Sequence, residues 1–217
     1  MPRIALIHAT PAAVEPIQTA FAEAWPEPDL VNLLDDSLSR DRALTPDLTD
    51  SIYRRFDELG AYSVGIGADG ILFTCSAFGP AIERVARAVA IPVLKPNEAM
   101  FAEAIAIEGR IGMLATFEPS IPSMEAEFKA DAAKAGARVT LESVFVPDAM
   151  TALVGGNREK HDTLVAEAAS ALAHCKAIML AQFSMAPAAA RIRQRMPGVP
   201  VLTSPDSAVA AMRKRIR

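Results

Sequence analysis

The chain has 217 residues, of which 51% are hydrophobic and 22% charged, and its formal net charge at pH 7 is -4. This length and apolar content exclude a disordered chain and suit one large domain or two small ones. The slightly acidic charge argues against nucleic acid as a partner, because neutralising phosphates requires a basic surface.

The apolar runs of the sequence are short. None reaches the roughly 18 residues that a membrane span requires, and the first run, residues 4–7, is soon followed by Pro11, which is not typical of a signal peptide. We therefore expect a cytoplasmic protein with no membrane partner. In that reducing compartment both cysteines, Cys75 and Cys175, would remain thiols.

Short apolar runs alternate with longer Ala-rich amphipathic segments, a pattern that predicts an α/β fold with parallel sheets. Strands are predicted at residues 4–8, 30–33, 71–74, 93–94, 111–115, 139–145, 177–181 and 201–202. Helices are predicted at residues 12–25, 46–61, 80–88, 98–107, 122–135, 160–174, 187–195 and 206–215. Thr10 and Ser204 each precede a proline, and a hydroxyl residue in that position favours a capped helix start.

Several short segments of the sequence recur about 107 residues further along the chain. The matching segments are residues 3–4 with 110–111, residues 71–75 with 178–182, and residues 91–94 with 199–202. We therefore predict two pseudo-symmetric parallel-sheet α/β halves with the active site in the cleft between them. The first half is assigned residues 1–96 and the second residues 97–197. The C-terminal segment 198–217 completes the first half or, alternatively, closes the second.

The repeat is broken at one position that matters chemically, where Cys75 corresponds to Gln182. Cys75 follows an apolar strand and precedes a predicted helix. A thiol at the start of a helix meets free N–H groups and the positive end of the helix dipole, and both favour the thiolate. Cys75 is therefore a candidate acid/base; the alternative is a small buried core residue. Cys175 lies at a predicted helix end and is interpreted as structural.

Other polar residues lie near the same predicted strand ends. Thr10 and Thr116 follow the first strand of each half and are candidates to bind a carboxylate or to cap a helix. The loop of Gln182 and Ser184 provides backbone N–H groups for a second anion site. His8 closes the first strand, either as a proton partner of Cys75 or as a hydrogen-bonded strand-end histidine.

No metal is predicted. The three histidines His8, His161 and His174 are scattered, and the neighbours His174 and Cys175 are not expected to face the same way. Three phenylalanines in loops, Phe78, Phe117 and Phe183, suit either an apolar pocket or the core.

Together these features resemble the aspartate/glutamate/hydantoin racemase superfamily, which also includes maleate isomerase and arylmalonate decarboxylase. The resemblance rests on the repeated halves and on four short stretches: the strand ending in Cys75, residues 7–11, residues 114–116 and residues 91–94. It implies proton transfer by paired cysteines, one from each half, at the carbon next to a carboxylate or imide, without metal or organic cofactor. A homo-oligomer is also implied, because dimers are common in the family.

The resemblance identifies Cys75 as the first-half cysteine, while Gln182 stands where the second cysteine belongs. Glutamine cannot exchange a proton at neutral pH. Catalytic roles are expected for Cys75 and His8, and substrate binding for Thr10, Thr74, Ser76, Thr116, Gln182, Phe183 and Ser184. We therefore expect a one-thiol, cofactor-independent racemase or isomerase acting on a small carboxylate or hydantoin-like substrate. The alternatives are a decarboxylase, addition of the thiol to an unsaturated acid, and a non-catalytic binder of small acids.

Overall fold

A computed structural model describes residues 1–45 and 47–216 of the chain. The chain forms two compact units. The first contains residues 1–98 and the C-terminal segment from residue 208, and the second contains residues 99–207. Each unit is built on a four-stranded sheet in which every pair of neighbouring strands is parallel.

The sheet of the first unit has the strand order β2-β1-β3-β4. Its elements in chain order are β1 (Arg3–His8), α1 (Val14–Ala24), β2 (Asp29–Leu34), α2 (Ser37–Leu44), α3 (Asp50–Gly65), β3 (Gly70–Phe73), α4 (Gly79–Ala88) and β4 (Val93–Leu94). Short 3-10 turns precede α1 and α4. Helix α5 (Glu98–Ile107) follows.

The sheet of the second unit has the equivalent order, β6-β5-β7-β8. Its elements are β5 (Gly109–Ala115), α6 (Ile121–Ala135), β6 (Val139–Phe145), α7 (Ala149–Val154), α8 (Arg158–Ala168), β7 (Ala177–Leu180), α9 (Ala189–Arg195) and β8 (Val201–Thr203). Helix α10 (Ser204–Arg215) ends the described chain.

The central strands β3 and β7 are apolar throughout. All four residues of β3 and all four of β7 are buried, as is typical of parallel strands. In the first unit the ring of Phe56 on α3 packs against Phe73 and Phe78, with ring centroids 5.2 and 5.0 Å apart. In the second unit a Cβ on Gly112 would lie 2.8 Å from Leu172 Cδ1, so glycine lets this side chain pack directly onto β5.

All eight predicted strands are confirmed, with bounds that differ by at most two residues. The matching strand orders show that the sequence repeat reflects two similarly built sheets. β8 pairs with β7, so residues 201–203 belong to the second sheet, whereas the segment from residue 208 belongs to the first unit. The C-terminal segment is thus divided between the two assignments that the sequence left open.

Two helices were not predicted, α2 and α7. Helix α2 buries only Leu38, and its other apolar residues, Ala43 and Leu44, lie together at its end, so it lacks the apolar periodicity that marks a helix in sequence. Helix α3 begins after Thr49, whose hydroxyl accepts the N–H of Ile52, and the predicted start at Pro46 lies outside the described residues.

The predicted caps have different outcomes. The Thr10 hydroxyl accepts the N–H of Ala12 at 3.4 Å, which confirms the first cap. The cap predicted at Ser204 is wrong, because the hydroxyl of Thr203 accepts the N–H of Asp206 and Ser204 is already helical. None of the helices in the described part of the chain combines the length and apolar character needed to cross a membrane.

Candidate active site

Cys75 lies at the carboxyl end of β3, just before the 3-10 turn that leads into α4. The thiol is partly buried. Burial raises the pKa of Cys75, while the nearby Ala77 N–H and Ser39 hydroxyl and the charge of Arg42 lower it; the net shift is upward. The thiol is therefore protonated at neutral pH. This differs from the expected thiolate, because loss of hydration outweighs the nearby donors.

Helix α2 brings Ser39 and Arg42 to the thiol. The Ser39 hydroxyl donates to the carbonyl of Ala9 at 2.7 Å, and Arg42 Nε donates to the carbonyl of Ala77 at 3.2 Å. These two bonds tie α2 to the loops that follow β1 and β3. Neither residue was predicted from the sequence, because α2 itself was not.

A second arginine, Arg55 on α3, holds the segment at the start of α2. Its guanidinium donates to the Asp35 carboxylate, to the Ser37 hydroxyl and to Asp41, the last at 2.6 Å. Burial alone would raise the pKa of Asp35, but the hydrogen bonds from Arg55 and Ser37 outweigh it and lower that pKa. The hydrogen bond with Asp35 likewise raises the pKa of Arg55. Asp35 and Arg55 therefore remain ionised at neutral pH, and the hydrogen bonds of Arg55 hold α2 in place.

His8, the last residue of β1, is completely buried. Its Nδ1 lies 2.9 Å from the hydroxyl of Thr74, and its Nε2 lies 3.0 Å from Oδ1 of Asn32. Burial lowers the pKa of His8, and the hydrogen bond with Asn32 only partly opposes this, so the ring is neutral. The histidine thus links the ends of β1, β2 and β3. Because both ring nitrogens are occupied, the structure favours a strand-end histidine over a proton partner of Cys75.

In the second unit, Gln182 directly follows β7. Its side-chain oxygen accepts the backbone N–H of Thr116 at 2.8 Å and the Thr116 hydroxyl at 3.3 Å. Its Nε2 donates to the hydroxyl of Ser120 at 3.2 Å, and that hydroxyl donates to the carbonyl of Phe117. The amide is therefore held between the loops that follow β5 and β7. Ser120 was not anticipated from the sequence.

The structure brings the remaining site residues into two groups, one in each unit. In the first, Thr10 and Ser76 are partly exposed, whereas Thr74 is buried. In the second, Thr116, Phe183 and Ser184 are buried. Phe78 is also fully buried, in the core cluster of the first unit, which corresponds to the core alternative rather than to a pocket wall.

The orientation of one pair, His174 and Cys175, was predicted wrongly. His174 and Cys175 were not expected to face the same way, yet an imidazole nitrogen and the thiol both lie near the Glu142 carboxylate, with one ligand atom of each residue within 4.8 Å of the others. The turn that contains them follows a 3-10 turn, not the continuous predicted helix. Burial, followed by the charge of Glu142, raises the pKa of Cys175, and Arg110 opposes the shift.

The strand order, the repeat and the cysteine at the end of β3 agree with a comparison against protein families. A model described as Asp/Glu/hydantoin racemase matches residues 3–212. The chain belongs to this racemase family. No curated protein matches the chain by sequence.

Several solved structures have a similar fold. An aspartate racemase homologue from Pyrococcus horikoshii has a TM-score of 0.69 and 15% identity, covering 100% of this chain and 99% of its own. The allantoin racemase of Klebsiella pneumoniae has a TM-score of 0.66 and 19% identity, covering 99% and 87%. A glycine-to-cysteine mutant of arylmalonate decarboxylase in a sulfate-associated form has a TM-score of 0.69 and 16% identity, covering 99% and 93%. At these identities the likeness shows the fold alone.

Proposed function

We propose that the protein is a cofactor-independent enzyme of the racemase and isomerase class that uses Cys75 as its single catalytic thiol. Its substrate is a small acid with a proton on the carbon next to a carboxylate or imide. The observation that carries the proposal is the setting of Cys75 at a strand end, before a helical turn, with the Ala77 N–H and the Ser39 hydroxyl near the sulfur and the charge of Arg42 acting on it. Family membership supports the reaction class.

In the proposed reaction, the Cys75 thiol first releases its proton to solvent, and the resulting thiolate takes the proton from the activated carbon. The electrons of the broken C–H bond pass into the neighbouring carboxylate or imide, and the same S–H returns a proton to the carbon. The Ala77 N–H and the charge of Arg42 favour this thiolate, and the Ser39 hydroxyl does so when it turns from the Ala9 carbonyl to the sulfur. These groups lower the pKa of the thiol against the effect of burial.

Gln182 has a binding role in this proposal. Its amide nitrogen carries two hydrogens, and the Ser120 hydroxyl accepts one of them. The second is the candidate donor to an oxygen of the substrate. Thr10 and Ser76 are the preferred carboxylate ligands, because Thr116 and Ser184 are more deeply buried and the Thr116 hydroxyl already bonds Gln182.

A single thiol restricts the chemistry. Inversion requires a proton donor on each side of the carbon, and Gln182 cannot be one. Under the proposal, exchange of the proton is therefore faster than inversion. An isomerisation route is compatible with one thiol: the Cys75 thiolate adds to the double bond of an unsaturated acid, the electron pair moves to the carboxylate, the C–C bond rotates, and the C–S bond breaks to restore the thiolate.

A decarboxylase is the second candidate, and the raised pKa of Cys75 favours it. In this reaction the bond to the departing carbon dioxide breaks and leaves its electrons as an enolate. The protonated thiol then donates to that carbon, and water reprotonates the thiolate. This route starts from the S–H form, which is the form of Cys75 at neutral pH. The arylmalonate decarboxylase neighbour shares the fold.

Three parts of the sequence interpretation remain predictions: a role for His8 next to Cys75, assembly into a homo-oligomer, and a cytoplasmic location. We assign His8 a positioning role, since its contacts to Thr74 and Asn32 orient the strand end that carries Cys75.

Incubation of the purified protein with candidate acids in heavy water separates the alternatives. Suitable candidates are α-amino acids, hydantoins, arylmalonates and unsaturated diacids. Deuterium on the α-carbon supports the racemase and isomerase class, and a changed double-bond geometry supports the addition route. Release of carbon dioxide would instead support the decarboxylase. Thermal stabilisation by an acid without any reaction would overturn the enzymatic proposal in favour of a binder.

A further inference from the structure

A cluster of three metal-ligating side chains lies in the second unit, apart from the residues discussed for catalysis. Glu142 belongs to β6, whereas His174 and Cys175 form the turn before β7. One ligand atom of each residue lies within 4.8 Å of the other two, and His174 Nε2 is 2.9 Å from Glu142 Oε2. The sheet topology brings these residues together, since β6 and β7 flank β5.

The backbone around the cluster is well fixed. Glu142 is in register with Gly112 on β5. The N–H of Cys175 donates to the carbonyl of Leu172 at 2.9 Å, and the N–H of Lys176 donates to the carbonyl of Arg110 at 2.7 Å. The turn that carries the imidazole and the thiol is therefore attached to the same strand that aligns Glu142.

The three side chains also differ in their exposure to solvent. Cys175 is 5% exposed, whereas the side chains of His174 and Glu142 are 47% and 40% exposed. The sulfur thus forms the inner side of the cluster, and the other two ligands lie towards solvent. A cation can reach the group from water, and the two exposed side chains can rotate towards it.

We propose that Glu142, His174 and Cys175 form a binding site for Zn²⁺. Thiolate, imidazole and carboxylate are the three ligand types that zinc takes in proteins, at about 2.0–2.3 Å. Calcium and magnesium prefer an all-oxygen set, so the sulfur and nitrogen select against them. Ligand atoms around tetrahedral zinc are roughly 3.3–3.8 Å apart by these bond lengths. On binding, the 2.9 Å contact between His174 Nε2 and Glu142 Oε2 therefore lengthens slightly, and separations of up to 4.8 Å shorten by about 1 Å. A water molecule completes the fourth position, and the thiol proton passes to solvent.

Arg110 is the competing cation. Its Nη1 lies 3.8 Å from Glu142 Oε2. Zinc must displace this contact and also bind next to a positive charge, so Arg110 weakens the site. Replacing Arg110 with an uncharged residue is therefore expected to strengthen metal binding, which is the opposite of what is expected for the three ligands.

The bound ion is expected to stabilise the second unit and to take no part in proton transfer. It lies before the amino end of β7, whereas Gln182 follows the carboxyl end of that strand. A bound ion would link the edge strand β6 to the turn before β7 and so stabilise the second unit. The proposal does not depend on the proposed enzymatic function.

Cobalt titration of the chelator-treated full chain tests the proposal. Co²⁺ replaces zinc in such sites, and its absorption spectrum reports a thiolate ligand directly. We expect one equivalent of Co²⁺ to produce a thiolate charge-transfer band that Zn²⁺ then removes. The Cys75→Ser variant should keep the band, because this thiol belongs to the other unit, while Cys175→Ser should lose it.

Further variants keep the test decisive if Cys175→Ser fails to fold. His174→Ala changes an exposed side chain and should weaken metal binding by roughly tenfold or more. Loss of a residue that only hydrogen-bonds a metal ligand already lowers metal affinity by about that much. Arg110→Gln should strengthen it. No thiolate band in the wild type at excess Co²⁺, or a band that depends on Cys75, would overturn the proposal. So would unchanged affinity in His174→Ala.

Discussion

The side-chain oxygen of Gln182 accepts two hydrogen bonds from Thr116, one from the backbone N–H at 2.8 Å and one from the hydroxyl at 3.3 Å. The residue that replaces the expected second cysteine is thus part of a fixed network between two loops. Its position is structurally defined even though its amide cannot move a proton.

Gln182→Ala is expected to lower the free energy of unfolding by about 1–3 kcal/mol, because the buried Thr116 N–H and hydroxyl lose their acceptor. Urea denaturation measures the loss. The matched control is Gln194→Ala, which removes an exposed glutamine on α9 and should have little effect. Equal stability of the two variants would show that the network contributes nothing.

Gln182→Cys tests the proposal that a single thiol makes proton exchange faster than inversion. It places a second thiol at the position that corresponds to Cys75 in the other unit. We expect the ratio of inversion to deuterium exchange to increase, because a second proton donor becomes available. Chiral chromatography and mass spectrometry of the product in heavy water provide the two rates. A ratio identical to that of the wild type would argue against Gln182 facing the same substrate as Cys75.

Arg55→Ala should both destabilise the first unit and slow the reaction. The guanidinium is largely buried among Asp35, Ser37 and Asp41, so its removal is expected to cost about 1–3 kcal/mol. Turnover should fall because α2 then positions Ser39 and Arg42 less firmly. The control is Arg84→Ala, whose exposed ion pair with Asp57 contributes only about 0.2–1 kcal/mol. Full turnover in Arg55→Ala would contradict a positioning role for α2.

The stability of the protein should fall in alkaline solution through Cys75. Burial raises the pKa of this thiol in the native state, so above the ordinary thiol pKa of about 8.5 the unfolded chain releases a proton that the native state retains. The free energy of unfolding then decreases with pH, by at most about 1.4 kcal/mol per pH unit for one group. Denaturation at several pH values should show a smaller decrease in Cys75→Ala. An identical pH profile would mean that the thiol is not desolvated.

The fold was largely predictable because its strands are apolar and repeated. Residues such as 71–74 and 177–181 mark buried parallel strands by composition alone. The polar helix α2 was not predictable in this way, since only Leu38 faces the core, and Ser39 and Arg42 were missed with it. A helix without an apolar stripe leaves no periodic signal.

The contacts of the candidate site depend on which strands are neighbours. Gln182 meets Thr116 because β5 pairs with β7, although β6 lies between them in the chain. The cluster of Glu142, His174 and Cys175 arises in the same way. A sequence shows that such residues lie near strand ends or turns, but the pairing of non-consecutive strands decides which of them meet.

The central claim is that Cys75 is the residue that moves the proton. The most direct test compares deuterium incorporation at the α-carbon of a turned-over acid for Cys75→Ala and Cys175→Ala, the same change at each of the two cysteines. We expect no incorporation above background in the first variant and wild-type incorporation in the second. Incorporation at the wild-type rate in a folded Cys75→Ala variant would contradict it.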